Sequence, residues 1–176
     1  MIATAENIRN VRPIADNIDD TKRIEPYIRE AETLDVLPAL GAGLYKQFSE
    51  GVTNNEITTD SGNVITLTDE DFMRILEGCY FDRDRQHSEG LYSAIAYLAY
   101  SRFMKNNQLN VTAFGVVFKQ GEFSEKADEK TIVRMSNEAH SIGMEYLSQV
   151  VNYLKFSNII CYKKNVKLIK FKAIGL

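Results

Sequence analysis

From Gly90 to Ser101 the chain carries no charged residue, and apolar side chains fall on nearly every side of a helix drawn through Leu91–Met104. Leu91, Ile95 and Leu98 make one stripe, while Tyr92, Ala96, Ala99 and Phe103 make another. A helix that is apolar around most of its circumference must be enclosed by other elements. The run is too short to cross a bilayer, which needs about 20 apolar residues. It therefore reads as the central helix of a bundle.

The other segments supply what would surround it. Ile24, Ile28, Ala31 and Leu34 recur at helical spacing over Thr21–Asp35, and Pro26 falls near the first turn, where its missing N–H is tolerated. Leu37, Leu40, Leu44, Tyr45 and Phe48 form a further apolar set, interrupted at Pro38 and Gly41-Ala42-Gly43, which predicts a bend between two short helices. Phe72, Ile75 and Leu76 face inward from a helix that Gly78 ends, and Asp82–His87 reads as a solvated, charged loop. The longest periodic stretch is Asp128–Leu154, with Ile132, Met135, Ala139, Ile142, Tyr146, Val150 and Tyr153 every three or four residues.

Two stretches change period. Around Asp60-Ser61-Gly62, Ile57 on one side and Val64 and Ile65 on the other predict a small β-hairpin over 56–67. Residues 110–124 are rich in β-branched and aromatic residues, Phe114, Val116 and Phe118 among them, and read as a loose hairpin or extended arm turning at Gly121. The expected fold class is thus mainly α: a helical bundle with a long C-terminal helix, a small β-hairpin, an extended arm and a basic C-terminal strand or tail. The expected organisation is one helical domain over 1–157 and a tail over 158–176.

Charge sets the tail apart. Of the 176 residues, 21 are basic and 24 acidic, a net charge of −3. Residues 161–176 hold five lysines and no acid, so the rest of the chain carries 16 basic against 24 acidic residues, or −8. An acidic body argues against broad or sequence-specific nucleic-acid binding, which needs a basic surface. The tail has three readings: a solvated edge strand, a phosphate-tracking arm, or a strand added to a partner's sheet. Val166, Leu168 and Phe171, interleaved with Lys167 and Lys170, favour strand addition, because a purely electrostatic arm has no use for aliphatic residues.

Chemistry-bearing patterns are scarce. His87 and His140 stand in no metal-ligand spacing, so no metal or other cofactor is expected. Cys79 lies among aromatics, the setting of an inert thiol, and with the distant Cys161 it suggests a reducing cytoplasm. The first residues show no basic region followed by an apolar core, so no secretory signal is expected. Gly41-Ala42-Gly43 lacks the remainder of a phosphate-binding loop. Acidic groups at Asp69–Asp71 and Asp128-Glu129 sit at expected helix N-termini, where the macrodipole accounts for them. A metal-assisted hydrolase using Asp82, Asp84 and Glu89 is the weakest reading; the expectation is no enzymatic activity.

Several packing motifs, taken in order, are similar to those of a known family. Val11–Ile18 (VRPIADNI), Ile24–Glu32 (IEPYIREAE) and Leu37–Tyr45 (LPALGAGLY) resemble the opening helices of tailed-phage head–tail connector proteins. Ala94–Phe103 (AIAYLAYSRF) and Asn110–Val117 (NVTAFGVV) resemble versions from crAss-like and related phages and prophages of gut Bacteroidetes. The resemblance spans about residues 5–155 and leaves the tail uncovered. It implies a structural virion protein, made in the bacterial host cytoplasm, that forms a ring (commonly of twelve copies) between portal and tail and lines the DNA channel. Its implied partners are further copies of itself, the portal protein and other neck or tail proteins, with no membrane. The residues expected to make the joins are Ile57, Val64, Ile65, Phe114, Val116, Phe118, Val166, Lys167, Leu168, Lys170 and Phe171. The rival from another class is a small cytoplasmic adaptor that captures one protein partner without catalysis.

Overall fold

The structure, a computed structural model, describes residues 1–14, 18–54, 56–58, 64–66, 69–83, 85–106, 109–112, 115–118 and 129–157. It is mainly helical, with a long C-terminal helix and small antiparallel hairpins. In chain order the described elements are α1 (Ala5–Val11), α2 (Asp20–Arg23), α3 (Glu25–Ala31), a π-helical turn (Glu32–Val36), α4 (Leu37–Leu40) and α5 (Ala42–Asn54). There follow β1 (Glu56–Thr58), β2 (Val64–Thr66), α6 (Asp69–Glu77), β3 (Cys79–Phe81), β4 (Gln86–Ser88) and α7 (Gly90–Asn106). The last are β5 (Leu109–Thr112), β6 (Gly115–Phe118) and α8 (Glu129–Ser157).

Helix α7 is the hub the sequence calls for. Leu91, Ala94, Ile95, Ala96, Leu98 and Ala99 are completely buried, and α1, α3, α6 and α8 all pack on it. Each fully buried Leu or Ile contributes roughly 1.5–3 kcal/mol through apolar burial. The largest interface is with α8, a rod of about 44 Å at 1.5 Å rise per residue. The two helices run antiparallel, Ser101 meeting Ser136 near one end and Tyr97 meeting Tyr146 further along.

Small residues let them approach. A β-carbon on Gly143 would lie 2.7 Å from Leu98 Cγ and 3.0 Å from its backbone nitrogen. Two helical turns away, the buried Ser136 hydroxyl donates to the Ser101 carbonyl at 3.0 Å, which satisfies a polar group inside the seam.

From α3 to α4 the chain is one continuous helical path with a wide turn in it. Pro38 has no N–H for the Leu34 carbonyl and its ring crowds that carbonyl; the π turn lies immediately upstream and relieves the clash. The extra residue changes the facing. Ile28, Glu32, Val36 and Leu40 point inward at steps of four, whereas Leu34, expected inward at ordinary helical spacing, is 61% exposed. The expected bend falls at Gly41, whose φ of +82° ends α4 before α5 begins.

Glu32, turned inward, is the most buried charged residue described, and it is fully engaged. Oε1 accepts the N–H groups of Ile2 (2.6 Å) and Ala3 (3.1 Å), and Oε2 accepts the Tyr45 hydroxyl at 3.0 Å. One carboxylate thus ties the N-terminal segment to the π turn and to α5. Nearby, Arg102 of α7 reaches Asp35 at 2.6 Å, a close charge contact rather than an aligned hydrogen bond, and lies 3.9 Å from Glu30.

The expected hairpin over 56–67 is present as β1–β2, with Ile57 opposite Ile65. Two other expectations need correction. The charged stretch 82–87 is not a plain loop: it closes the β3–β4 hairpin, with Asp82 and Arg83 in left-handed backbone conformation. The arm is a tighter hairpin than expected, since Thr112 pairs with Gly115 and the reversal falls between them rather than at Gly121. Gly121 and the tail 158–176 lie outside the described residues.

Candidate functional site

The described residues hold no convergent set of reactive side chains. Among them, no group of three or more His, Cys, Asp or Glu is placed to hold a metal ion. Asp82 sits in the hairpin turn, Glu89 lies 3.3 Å from His87 Nδ1, and Asp84 is outside the described residues. Burial pushes the Cys79 thiol up from its ordinary value, so it stays protonated and a poor nucleophile near neutral pH. Burial likewise raises Tyr27, Tyr92 and Tyr146, all beside the packed helices. An open cleft of about 470 Å³ runs along the start of α8, beside Glu129, Lys130, Val133, Arg134 and Asn137. Its side chains come from one helix face and offer no acid–base pair at a defined spacing.

What the described residues do present is three separate β-hairpins. Each described sheet has two strands, and no hairpin joins another. The residues expected to make joins fall accordingly. Ile57 pairs with Ile65, and Val64 with Thr58, across β1–β2. Val116 pairs with Val111, and Phe118 with Leu109, across β5–β6. Phe114, Val166, Lys167, Leu168, Lys170 and Phe171 lie outside the described residues.

The strands of β5–β6 pair with each other in antiparallel register from Leu109↔Phe118 to Thr112↔Gly115. Two-stranded hairpins are marginal in water unless something packs on them.

The β3–β4 hairpin was missed by the sequence reading and carries the most exposed aromatic described. Tyr80 is 67% exposed and leans on His87, with ring centroids 4.3 Å apart. Its neighbour Phe81 points the other way, into Tyr153 at 5.2 Å and Phe156 at 5.4 Å, which anchors the hairpin on the C-terminal end of α8. Phe156 itself is 53% exposed. The available signal was alternation within Cys79-Tyr80-Phe81, which three residues are too few to establish.

Among the described residues no helix is long and apolar enough to cross a membrane. Residues 36–158 match the profile of a family of unknown function, DUF6712, and the chain belongs to that family. No curated protein and no solved structure matches it.

Proposed function

We propose that this DUF6712 member is a structural subunit of the phage neck, a connector that forms a ring between portal and tail. The observation that carries the reading is the β5–β6 hairpin, rich in β-branched and aromatic residues (Val111, Val116, Val117, Phe118), whose two strands pair with each other as a separate two-stranded sheet. A hairpin of that kind suits a subunit that completes its packing on assembly. The interlocked α7–α8 block, with Gly143 against Leu98, suits a rigid body that carries such hairpins to a neighbour. The acidic body, −8 outside residues 161–176, suits a channel wall that does not retain passing DNA. The resemblance of the opening helices to head–tail connectors supports the same reading.

Deleting residues 112–122 tests it. The full chain forms a closed ring, alone or on the portal. The shortened chain keeps its helical circular dichroism and its cooperative melting but stays monomeric. Ring formation by the shortened chain contradicts the role given to the hairpin.

A further inference from the structure

Helix α5 begins at a glycine that has room around it. Gly41 joins it to α4 at φ +82° and ψ 153°, and a β-carbon there would meet nothing within 4 Å. Gly78, Gly90 and Gly143, by contrast, are pressed against backbone or side chain. An uncrowded glycine between two helices is the kind of joint that absorbs a change in φ and ψ. One turn further on, the Tyr45 hydroxyl donates to Glu32 Oε2 at 3.0 Å, while Oε1 of the same carboxylate accepts the Ile2 and Ala3 N–H groups. At its far end α5 stops at Asn54 and packs on β1, which starts at Glu56.

We propose that Glu32 is a shared latch that holds the N-terminal strap Met1–Thr4 and α5 closed together, and that α5 pivots at Gly41 when the latch opens. The coupling follows from desolvation. With strap and Tyr45 both in place, Glu32 is 1% exposed and its charge is met by three donors. Loss of either group leaves a buried carboxylate short of donors, or admits water that weakens the bond left behind. Strap and helix therefore favour each other's closure. Burial above all holds the Tyr45 hydroxyl up at about 12, so it remains a donor through the neutral range. The burial of Leu44 and Phe48 keeps the closed arrangement dominant, and the latch sets how much of the open one is present. The strands β1 and β2 follow α5 in the chain and move with it. The latch belongs to the single subunit and stands whether or not the chain forms a ring.

Native-state hydrogen exchange reads such openings amide by amide. Tyr45→Phe keeps the aromatic ring and removes only the hydroxyl's bond. It should speed exchange on the order of tenfold at Phe48 and Ser49 of α5, and by a similar factor at Ile2 and Ala3 of the strap. Ala3→Pro removes a strap donor at a completely buried position and should in turn speed exchange at Phe48 and Ser49. The amides of Leu98 and Val150, in the α7–α8 seam, should keep their protection in both variants. Acceleration confined to the substituted side, or spread equally to the seam, overturns the shared latch. The pivot is read from spin labels at Glu50→Cys and Glu138→Cys in a Cys79→Ser, Cys161→Ser background. Adding Tyr45→Phe and Phe48→Ala together should produce a second, discrete distance with helical circular dichroism retained. One unchanged distance, or a broadened one with loss of helical signal, overturns the pivot.

Discussion

Gly78 and Gly90 touch back to back where the β3–β4 hairpin leaves and rejoins the helices. A β-carbon on Gly90 would lie 2.5 Å from the Gly78 backbone nitrogen and 2.4 Å from the Leu76 carbonyl oxygen, and one on Gly78 would lie 2.2 Å from the Ser88 oxygen. Both residues also have positive φ, +105° and +82°. The hairpin that presents Tyr80 exists because two glycines let α6 end and α7 begin in the same place.

Gly78→Ala or Gly90→Ala should each cost about 3 kcal/mol or more, since left-handed strain and a backbone clash add. Gly41→Ala is the control. Its φ of +82° comes with a ψ of 153°, a region almost confined to glycine, but nothing lies within 4 Å of the added β-carbon, so conformational strain alone, about 1–3 kcal/mol, is expected without the clash. Urea denaturation of the three variants separates the two effects, and equal losses at all three sites would contradict the close approach.

Gly143→Ala should destabilise by about 1–3 kcal/mol, because the added carbon meets both the side chain and the backbone of Leu98. Combining it with Leu98→Ala should be less costly than the sum of the single losses, since the shortened side chain yields part of the space. Strict additivity in a double-mutant cycle would show that α7 and α8 do not press together there.

Glu32→Ala removes the acceptor of two buried N–H groups and of the Tyr45 hydroxyl, and should cost about 3 kcal/mol. Glu32→Gln keeps an acceptor for Ile2 and Ala3 and should cost clearly less. Hydrogen exchange at the Ile2 and Ala3 amides should accelerate in the Ala variant well before global unfolding, whereas unchanged protection would argue against the tie.

Alkaline pH reports on the same cluster. Burial, with the Glu32 charge and hydrogen bond adding to it, pushes the Tyr45 hydroxyl from an ordinary 10.0 up to about 12. Between those values the unfolded chain releases the proton and the folded chain keeps it. The stabilisation is therefore complete below pH 10 and declines as pH rises toward 12. Tyr45 is only partly buried, so solvent screening reduces the loss to the order of 1 kcal/mol. Tyr45→Phe should flatten this part of the urea-midpoint profile; an unaltered slope would assign it elsewhere.

Much of the fold is legible in the sequence, for physical reasons that also mark where legibility ends. The enclosure of α7 follows from Gly90–Ser101 having no charged face, and β1–β2 follows from Ile57, Val64 and Ile65 around a turn of Asp, Ser and Gly. Leu34 and Met135 defeat the same logic. Leu34 is turned out by the π turn upstream of Pro38, which no fixed helical period encodes. Met135 is exposed because Ser136 and Gly143 take the seam, small residues chosen for approach rather than hydrophobicity. The β3–β4 hairpin has almost no strand signal, since Gln86-His87-Ser88 lacks any β-branched residue, and it depends on Gly78, Gly90 and the burial of Phe81. The exposure of Tyr80 and Phe156 is not readable either, because an aromatic residue in a helical domain reads first as core.

The most direct test of the proposed ring is the mass of the full chain by mass photometry, alone and with a tailed-phage portal protein. The ring reading predicts one discrete species at a whole multiple of the 20.0 kDa subunit, either free or added to the portal. A chain that stays at 20.0 kDa in both conditions, leaving the portal mass unchanged, contradicts it.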